Sequence, residues 1–199
     1  MPVCARCPRV LGRSCCEVAQ DERLATLTQA DVARIQSERG LAARAFVEEE
    51  VLDVEIAHAY EQQRPLYDGY FRHGPVRLTL ARAGGACVFH ARDTGCTLSV
   101  LARPLSCRLY PFEPGANGEV TLLPERHGSV DAAGDAGGGC LAVEEADSLE
   151  ALQALFGVTP ESLAGLAEAL RRDVKSHAQS RAPAGPASGH TRRRLRRNA

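Results

Sequence analysis

Eight cysteines are the residues of this 199-residue chain whose type and spacing could do chemistry. Thiolates bind borderline and soft metals strongly, so clustered cysteines favour zinc, Cu(I) or iron–sulfur clusters over magnesium or calcium. Their other common use, disulfide bonding, requires an oxidising compartment. We therefore take all eight as candidate metal ligands: Cys4, Cys7, Cys15, Cys16, Cys87, Cys96, Cys107 and Cys140.

The spacing of the cysteines leaves their grouping open. Two residues separate Cys4 from Cys7, which lets both sulfurs reach one metal, whereas the neighbours Cys15 and Cys16 share a metal only if the backbone turns sharply. Eight thiolates suffice for two four-cysteine sites, or for one cluster with spare structural cysteines, of which Cys16 and Cys140 are the best candidates. The adjacent pair and the wide loop spacings fit an iron–sulfur cluster better than two tetrahedral zinc hooks.

The elements that must position these residues are mostly helical. Apolar periodicity, capping residues and proline predict helices near 28–39, 43–63, 147–156 and 159–178. Alternation predicts strands at 76–80 and 119–123. Between them, three cysteines lie among turn residues. The sequence thus predicts an α+β fold, mostly helical, with a small irregular β and loop segment stapled by metal between about 76 and 123. The N-terminal cysteines are expected to meet Cys87, Cys96 and Cys107 in space, despite about 70 intervening residues.

Domain organisation follows from a change in composition near residue 180. Residues 1–178 are predicted to form a single metal-binding domain, and 179–199 a disordered tail, because a Pro-, Gly- and Ala-rich stretch there precedes five arginines. A net charge of −1 gives the folded body no general attraction to nucleic acid. The basic tail, however, could make weak contact with nucleic acid or an acidic partner, or be simply solvated.

The N-terminal residues and the overall hydropathy predict a cytoplasmic protein without a membrane partner. The chain's first residues lack the charged start, apolar stretch and small-residue cleavage site of a signal peptide. No stretch approaches the roughly 18 apolar residues that a membrane span needs. In a reducing cytoplasm, eight cysteines indicate metal binding or redox chemistry rather than disulfides.

Three short segments resemble the CxxCxxCC, or YkgJ-like, family of cysteine-cluster proteins. They are GACVF at 85–89, GCTL at 95–98 and RPLSCRLYPF at 103–112, and the predicted helix at 27–35 is also similar to the helix that follows the family's first cluster. The resemblance spans roughly residues 4–141. Seven residues separate Cys7 from Cys15 here, five more than in the family's pattern.

The resemblance implies a zinc- or iron-chelating domain with no assigned reaction. Two other functions stay open. One is a metal-dependent enzyme that modifies a protein or peptide, since one branch of the family resembles flagellin lysine N-methylase, although this chain is too short for that enzyme's larger body. The other is a structural zinc module for protein or RNA interaction.

Two arginines flank Cys107 and are the candidate cofactor-binding residues. Arg103 and Arg108 could offset the negative charge of clustered thiolates, or bind an anion or substrate carboxylate beside them. His90 is the histidine best placed for a mixed ligand set, although a single loop histidine more often faces solvent. The aromatic residues Tyr110 and Phe112 are expected to pack in the core.

Overall fold

A computed structural model of the chain describes residues 6–7, 9–10, 14–17, 24–115, 119–123 and 140–181. The first cysteine of the set, Cys4, lies outside these residues, and so does the predicted basic tail from residue 182 onward. Helices and short antiparallel strands make up the described part, which is consistent with the predicted α+β class.

Six α-helices are described. They are α1 (Gln29–Arg39), α2 (Val54–Gln63), α3 (Leu105–Leu109), α4 (Leu141–Glu145), α5 (Leu149–Phe156) and α6 (Pro160–Ser180). Single 3-10 turns precede β1 and follow α2, at Ala43–Ala45 and Pro65–Tyr67. None of the helices within the described ranges is both long enough and apolar enough to cross a lipid bilayer.

Eight strands pair into four separate two-stranded antiparallel sheets. The pairs are β1 (Val47–Val51) with β2 (Val76–Leu80), β3 (Arg82–Ala83) with β4 (Ala86–Cys87), β5 (His90–Ala91) with β6 (Gly95–Cys96), and β7 (Phe112–Pro114) with β8 (Val120–Leu122). The three sheets that follow β2 are hairpins of two or three residues a strand, so loops and turns dominate the segment that carries the three central cysteines.

Local sequence signals explain where most helices begin and end. Thr28 caps α1 through a reciprocal capping box with Asp31, and Gly40 ends the helix in the left-handed conformation at φ 64°. Thr159 caps α6 in the same way, with Pro160 in its first turn. The helices predicted at 28–39, 147–156 and 159–178 are confirmed to within two residues at each end, α6 ending at Ser180.

The helix predicted over 43–63 is wrong in its first half. Residues 47–51 form β1, and the helix begins only at Val54. The partner of β1 is distant in sequence: Glu50 lies opposite Arg77, and the two side chains form an ion pair. Pairing with β2 therefore overrides the helical propensity of three consecutive glutamates, because strand formation depends on such distant partners. Phe46, fully buried, anchors the start of the strand.

Two hydrophobic clusters form the core, and each contains cysteines. The first joins α6 to the segments around α3, β7 and α4, with Cys7 buried in it and Cys140 packed against it. The second joins α1, Phe46 and β2 to the hairpins, with Cys87 buried in it and Cys16 and Cys96 packed against it. The cysteines thus lie where the two clusters approach the N-terminal segment.

A buried histidine in α6 predicts acid sensitivity. His177 is fully buried, stacks on Tyr70 with ring centroids 4.2 Å apart, and has no hydrogen-bond partner on either ring nitrogen. Burial, together with the smaller effect of the Arg181 charge, lowers the pKa of His177 to about 4. The unfolded chain, with an ordinary pKa near 6.5, binds more protons over this range, so the fold loses stability as pH falls from about 6.5 toward 4.

Replacing His177 with phenylalanine should reduce this acid sensitivity. The phenyl ring keeps the stack on Tyr70 and has no nitrogen to protonate. Between pH 7 and pH 4, the variant should lose about 3 kcal/mol less stability than the original protein, measured by urea denaturation at each pH. His58, exposed on α2, provides the control: His58→Gln should follow the original protein. Equal acid losses for His177→Phe and the original protein would contradict the assignment.

Candidate metal centre

The N-terminal segment makes a sharp turn that carries two cysteines. Glu17 donates its backbone N–H to the Ser14 carbonyl at 2.9 Å, which places Cys15 and Cys16 at the centre of a four-residue turn. The Ser14 hydroxyl accepts from the Cys16 N–H, and the Glu17 carboxylate accepts from the Ser14 N–H. This is the sharp backbone turn that adjacent cysteines need if both are to reach one site.

The turn docks directly on the central hairpins. Cys87 donates its backbone N–H to the Cys16 carbonyl at 2.8 Å, and Glu17 bridges to Ala86. The Ser14 hydroxyl lies 3.2 Å from His90 Nε2. The turn that carries Cys15 and Cys16 therefore meets the segment of Cys87, although some 70 residues separate them in sequence. Cys4 lies outside the described residues, and the meeting of the N-terminal thiols with all three central thiols stays a prediction.

The start of the N-terminal segment docks on α4 instead. Arg6 forms a bidentate ion pair with Glu145, at 2.9 Å and 2.6 Å. Cys7 is buried, and the Leu141 backbone donates a hydrogen bond to its sulfur. One short segment therefore links Cys140 and α4 to the hairpins that carry Cys87 and Cys96.

Cys15 is the thiol that connects the two ends of this arrangement. A negative charge on Cys15 raises the pKa of four other thiols: Cys7, Cys87, Cys107 and Cys140. Only thiols in the same region of the molecule influence one another in this way, because water and salt screen distant charges. The structure thus groups cysteines from four separate parts of the chain.

Burial is the main cause of the shifted thiol pKa values. It raises the pKa of Cys87 to about 11, against the effect of a hydrogen bond from the Phe89 backbone. It raises the pKa of Cys107 well above the ordinary value, and the charges of Cys87, Cys96 and Cys15 act in the same direction. Thiols with raised pKa values hold their protons at neutral pH, so a metal that binds them must displace those protons.

Cys107 is exposed to solvent, whereas Cys7 and Cys87 are buried. The protein atoms packed around its sulfur nevertheless raise its pKa well above the ordinary value. A ligand held by Cys107 would therefore be accessible from solvent.

Cys140 receives hydrogen bonds from three donors. Burial raises the pKa of Cys140, while the backbones of Val143 and Ala142 and the Tyr110 hydroxyl donate hydrogen bonds to its sulfur and lower it. Donors aimed at sulfur stabilise a thiolate, as metal ligands require. Cys140 also packs against the first core cluster, so it fits both the role of a metal ligand and that of a structural thiol. Cys16 still fits the role of an inert core thiol, because its side chain packs against the second core cluster.

The two candidate arginines have other partners. Arg103 Nε donates to the Leu98 carbonyl at 3.2 Å. Burial and the nearby charge of Arg34 lower the pKa of Arg108, while Asp31 raises it. The main charges that act on Cys107 are those of thiols and Asp31, not of these arginines. Arg103 thus lies on the loop before α3, and Arg108 lies on α3 itself, next to Cys107 in sequence.

Asp31 is a site residue that the sequence analysis missed. It is fully buried, and it accepts hydrogen bonds from Thr28, from the Arg34 guanidinium and from the Leu105 backbone at 3.0 Å. The last bond holds the first residue of α3, which carries Cys107, against α1. A capping position alone signals a surface role, and only the fold reveals that the carboxylate holds a second helix.

Tyr110 and Ser14 were also missed as site residues. Tyr110 was expected to be a core aromatic, and its hydrogen bond to Cys140 gives it a polar role as well. Ser14, next to the cysteine pair, contacts His90 and stabilises the turn. Phe112, by contrast, packs in the core as expected, edge-on to Phe156. Proximity in sequence to a cysteine was the only available signal for Tyr110 and Ser14.

The described thiols do not converge on one metal position. No disulfide joins any two of the seven described cysteines. Among the residues that the structure describes, no three or more His, Cys, Asp or Glu side chains are grouped as they would be around a single metal ion. Comparison with known proteins found no family model, no curated protein and no solved structure that matches this chain.

Proposed function

We propose that this protein is a cysteine-cluster metal-binding protein, which holds an iron–sulfur cluster or zinc through thiolates from both ends of its fold. The observation that carries the proposal is the docking of the turn at Ser14–Glu17 on Cys87 while Cys7 docks on α4. Cys7 and Cys16 also pack with the two core clusters, and ligation of a common metal centre would give a second reason for one short segment to reach both remaining groups of cysteines.

The donor set fits such a centre. Thiolates suit zinc and iron–sulfur clusters, and the hydrogen bonds to the sulfurs of Cys7, Cys87 and Cys140 are those expected around metal-bound thiolates. The resemblance to the CxxCxxCC family points to the same chemistry. We place the protein in the cytoplasm, because a reducing compartment keeps such thiols available for a metal.

A metal-dependent enzyme is the second candidate. The observation that favours it is the solvent exposure of Cys107, because catalytic metal sites keep a position open to substrate whereas structural zinc sites are closed. Its substrate would be a protein or peptide, by the family resemblance. The closed alternative, a structural zinc module, would leave no exchangeable position on the metal.

Anaerobic purification with metal and sulfide analysis tests the proposal. A brown protein with iron and acid-labile sulfide would identify an iron–sulfur cluster, whereas a colourless protein with stoichiometric zinc would identify a zinc centre. Cys107→Ser should then lose the metal and loosen residues 86–112, while His90→Ala should do neither. Full-length protein that binds neither metal, even after anaerobic reconstitution with iron and sulfide or with zinc, would refute the proposal.

A further inference from the structure

Among the residues that the structure describes, no strand pairs with the outer edge of β1. At the edge of β2 that faces away from β1, the Leu78 carbonyl accepts a hydrogen bond from the Leu27 N–H, and the Leu80 N–H donates to the Ala25 carbonyl. In an antiparallel pair of strands, two residues directly opposite each other direct their N–H and C=O groups either both toward the partner strand or both away from it. Glu49, opposite Leu78, therefore directs its N–H and C=O away from β2, and no other strand in the described ranges pairs along that edge.

Acidic and apolar side chains surround this edge. Val51 and Val54 are among the most exposed large apolar residues, at 77% and 72%, and Ile56 follows on α2 at 54%. Glu49, Asp53 and Glu55 are also exposed, and the ion pairs formed within the described ranges do not include them. We call the surface formed by residues 47–56 the acidic edge.

Charge determines which strand can pair with the acidic edge. A second copy of β1 would place its own glutamates opposite Glu48, Glu49 and Glu50, and like charges directly opposite are destabilising. Charged residues on an edge strand protect it against such self-association. An occupant with basic side chains and some apolar surface would be stabilised instead.

This chain carries such a sequence in its own tail. Residues 192–197 read RRRLRR, with five arginines around Leu195. Helix α6 ends beside the opposite edge of the sheet: His177 stacks on Tyr70, whose hydroxyl accepts from the Leu78 N–H, a group that points away from β1. From Arg181 the tail must therefore cross both strands, about 10 Å, to reach the outer edge of β1. The eleven residues from 181 to 192 span up to about 35 Å, well beyond the radius of gyration of about 16 Å for a domain of this size.

We propose that residues 192–197 of the same molecule add a strand to the outer edge of β1. If Leu195 lies opposite Val51, an arginine lies opposite Glu49 in either strand direction, Arg193 when parallel and Arg197 when antiparallel. Backbone hydrogen bonds provide the attachment, and the arginines neutralise the acidic edge. The basic tail is then an internal strand that a more acidic partner, such as RNA, must displace.

Hydrogen exchange of single amides, followed by NMR on the full-length protein, tests the pairing. The outward amides of Glu49 and Val51 should be protected in the original protein. Replacing all five tail arginines with glutamine (R192Q, R193Q, R194Q, R196Q and R197Q) should make them exchange about tenfold faster. The Thr79 amide, which belongs to the inner pair, should not change. Equal protection of Glu49 and Val51 in both proteins would overturn the proposal.

Two controls make the result specific. Replacing the same five arginines with lysine keeps the charge and should preserve the protection, whereas loss equal to that of the glutamine variant would overturn the charge argument. Glu49→Gln should weaken the protection of Val51, and Glu150→Gln on α5 should not. In a mixture of labelled glutamine variant and unlabelled original protein, protection of the labelled edge would show pairing between molecules and would overturn pairing within one.

Discussion

Replacing Cys15 with serine is expected to lower the affinity for metal by at least about a hundredfold, whereas Cys16→Ser should lower it far less. Cys15 acts on thiols from both ends of the fold, Cys7 and Cys140 on one side and Cys87 and Cys107 on the other. Serine has nearly the same size, but its oxygen is a poor ligand for soft metals. The measurement is metal content after anaerobic reconstitution, followed by competition with a chelator.

Cys16 is a closely matched control because it occupies the neighbouring position of the same turn. Its backbone carbonyl accepts a hydrogen bond from the Cys87 N–H, and its side chain packs against the second core cluster. Serine keeps the carbonyl and the turn, so Cys16→Ser should fold and bind metal. If the two variants lost metal equally, Cys15 would not be the thiol that links the two groups of cysteines.

Replacing Asp31 with alanine is expected to destabilise the fold by about 3 kcal/mol, since it leaves buried N–H groups without an acceptor and removes one carboxylate from the half-buried Arg34. Arg34 loses its closer carboxylate, and the Leu105 and Thr28 N–H groups lose their acceptor. The free energy of unfolding, from urea denaturation, measures the loss. Cys107 should also react faster with an alkylating reagent, because α3 is no longer held against α1.

Replacing Asp173 is the control that distinguishes the effect of burial at Asp31 from the effect of its charge. It bonds the same Arg34 guanidinium at 2.9 Å, but its side chain remains 20% exposed. Asp173→Ala should therefore cost only about 1 kcal/mol and leave the reactivity of Cys107 unchanged. Equal destabilisation by the two substitutions would mean that Asp31 contributes through the ion pair alone, without a special role in holding α3.

The elements predicted correctly from the sequence are those with local causes. Thr28, Thr159 and Gly157 sit at helix ends with their ordinary capping conformations, so α1, α5 and α6 could be predicted from a few adjacent residues. The strand β2 alternates clearly. The helix predicted across 43–53 was wrong because β1 exists only through its distant partner, and no local pattern reveals a partner 30 residues away.

The candidate site was predictable in its residue types and not in its geometry. Cysteines stand out in any sequence, so the list of thiols was available at once. The separate docking of Cys7 on α4, and the buried position of Asp31 behind α3, depend on how two hydrophobic clusters pack. The assignment of metal ligation, and the role of Arg103 and Arg108, stay predictions that the experiments above address.

Because Cys7 contacts Leu141, an early part of the chain must wait during synthesis for a partner that is made late. The ribosome makes the N-terminal cysteines first, and their partners at α4 follow more than 130 residues later. Domains fold as their chain emerges, N-terminal parts first. Until α4 emerges, the early thiols lack these neighbours and remain open to oxidation or to adventitious metals. If the protein binds a metal as proposed, rapid synthesis, or a carrier that shields residues 4–16, would thus favour correct loading of the nascent chain.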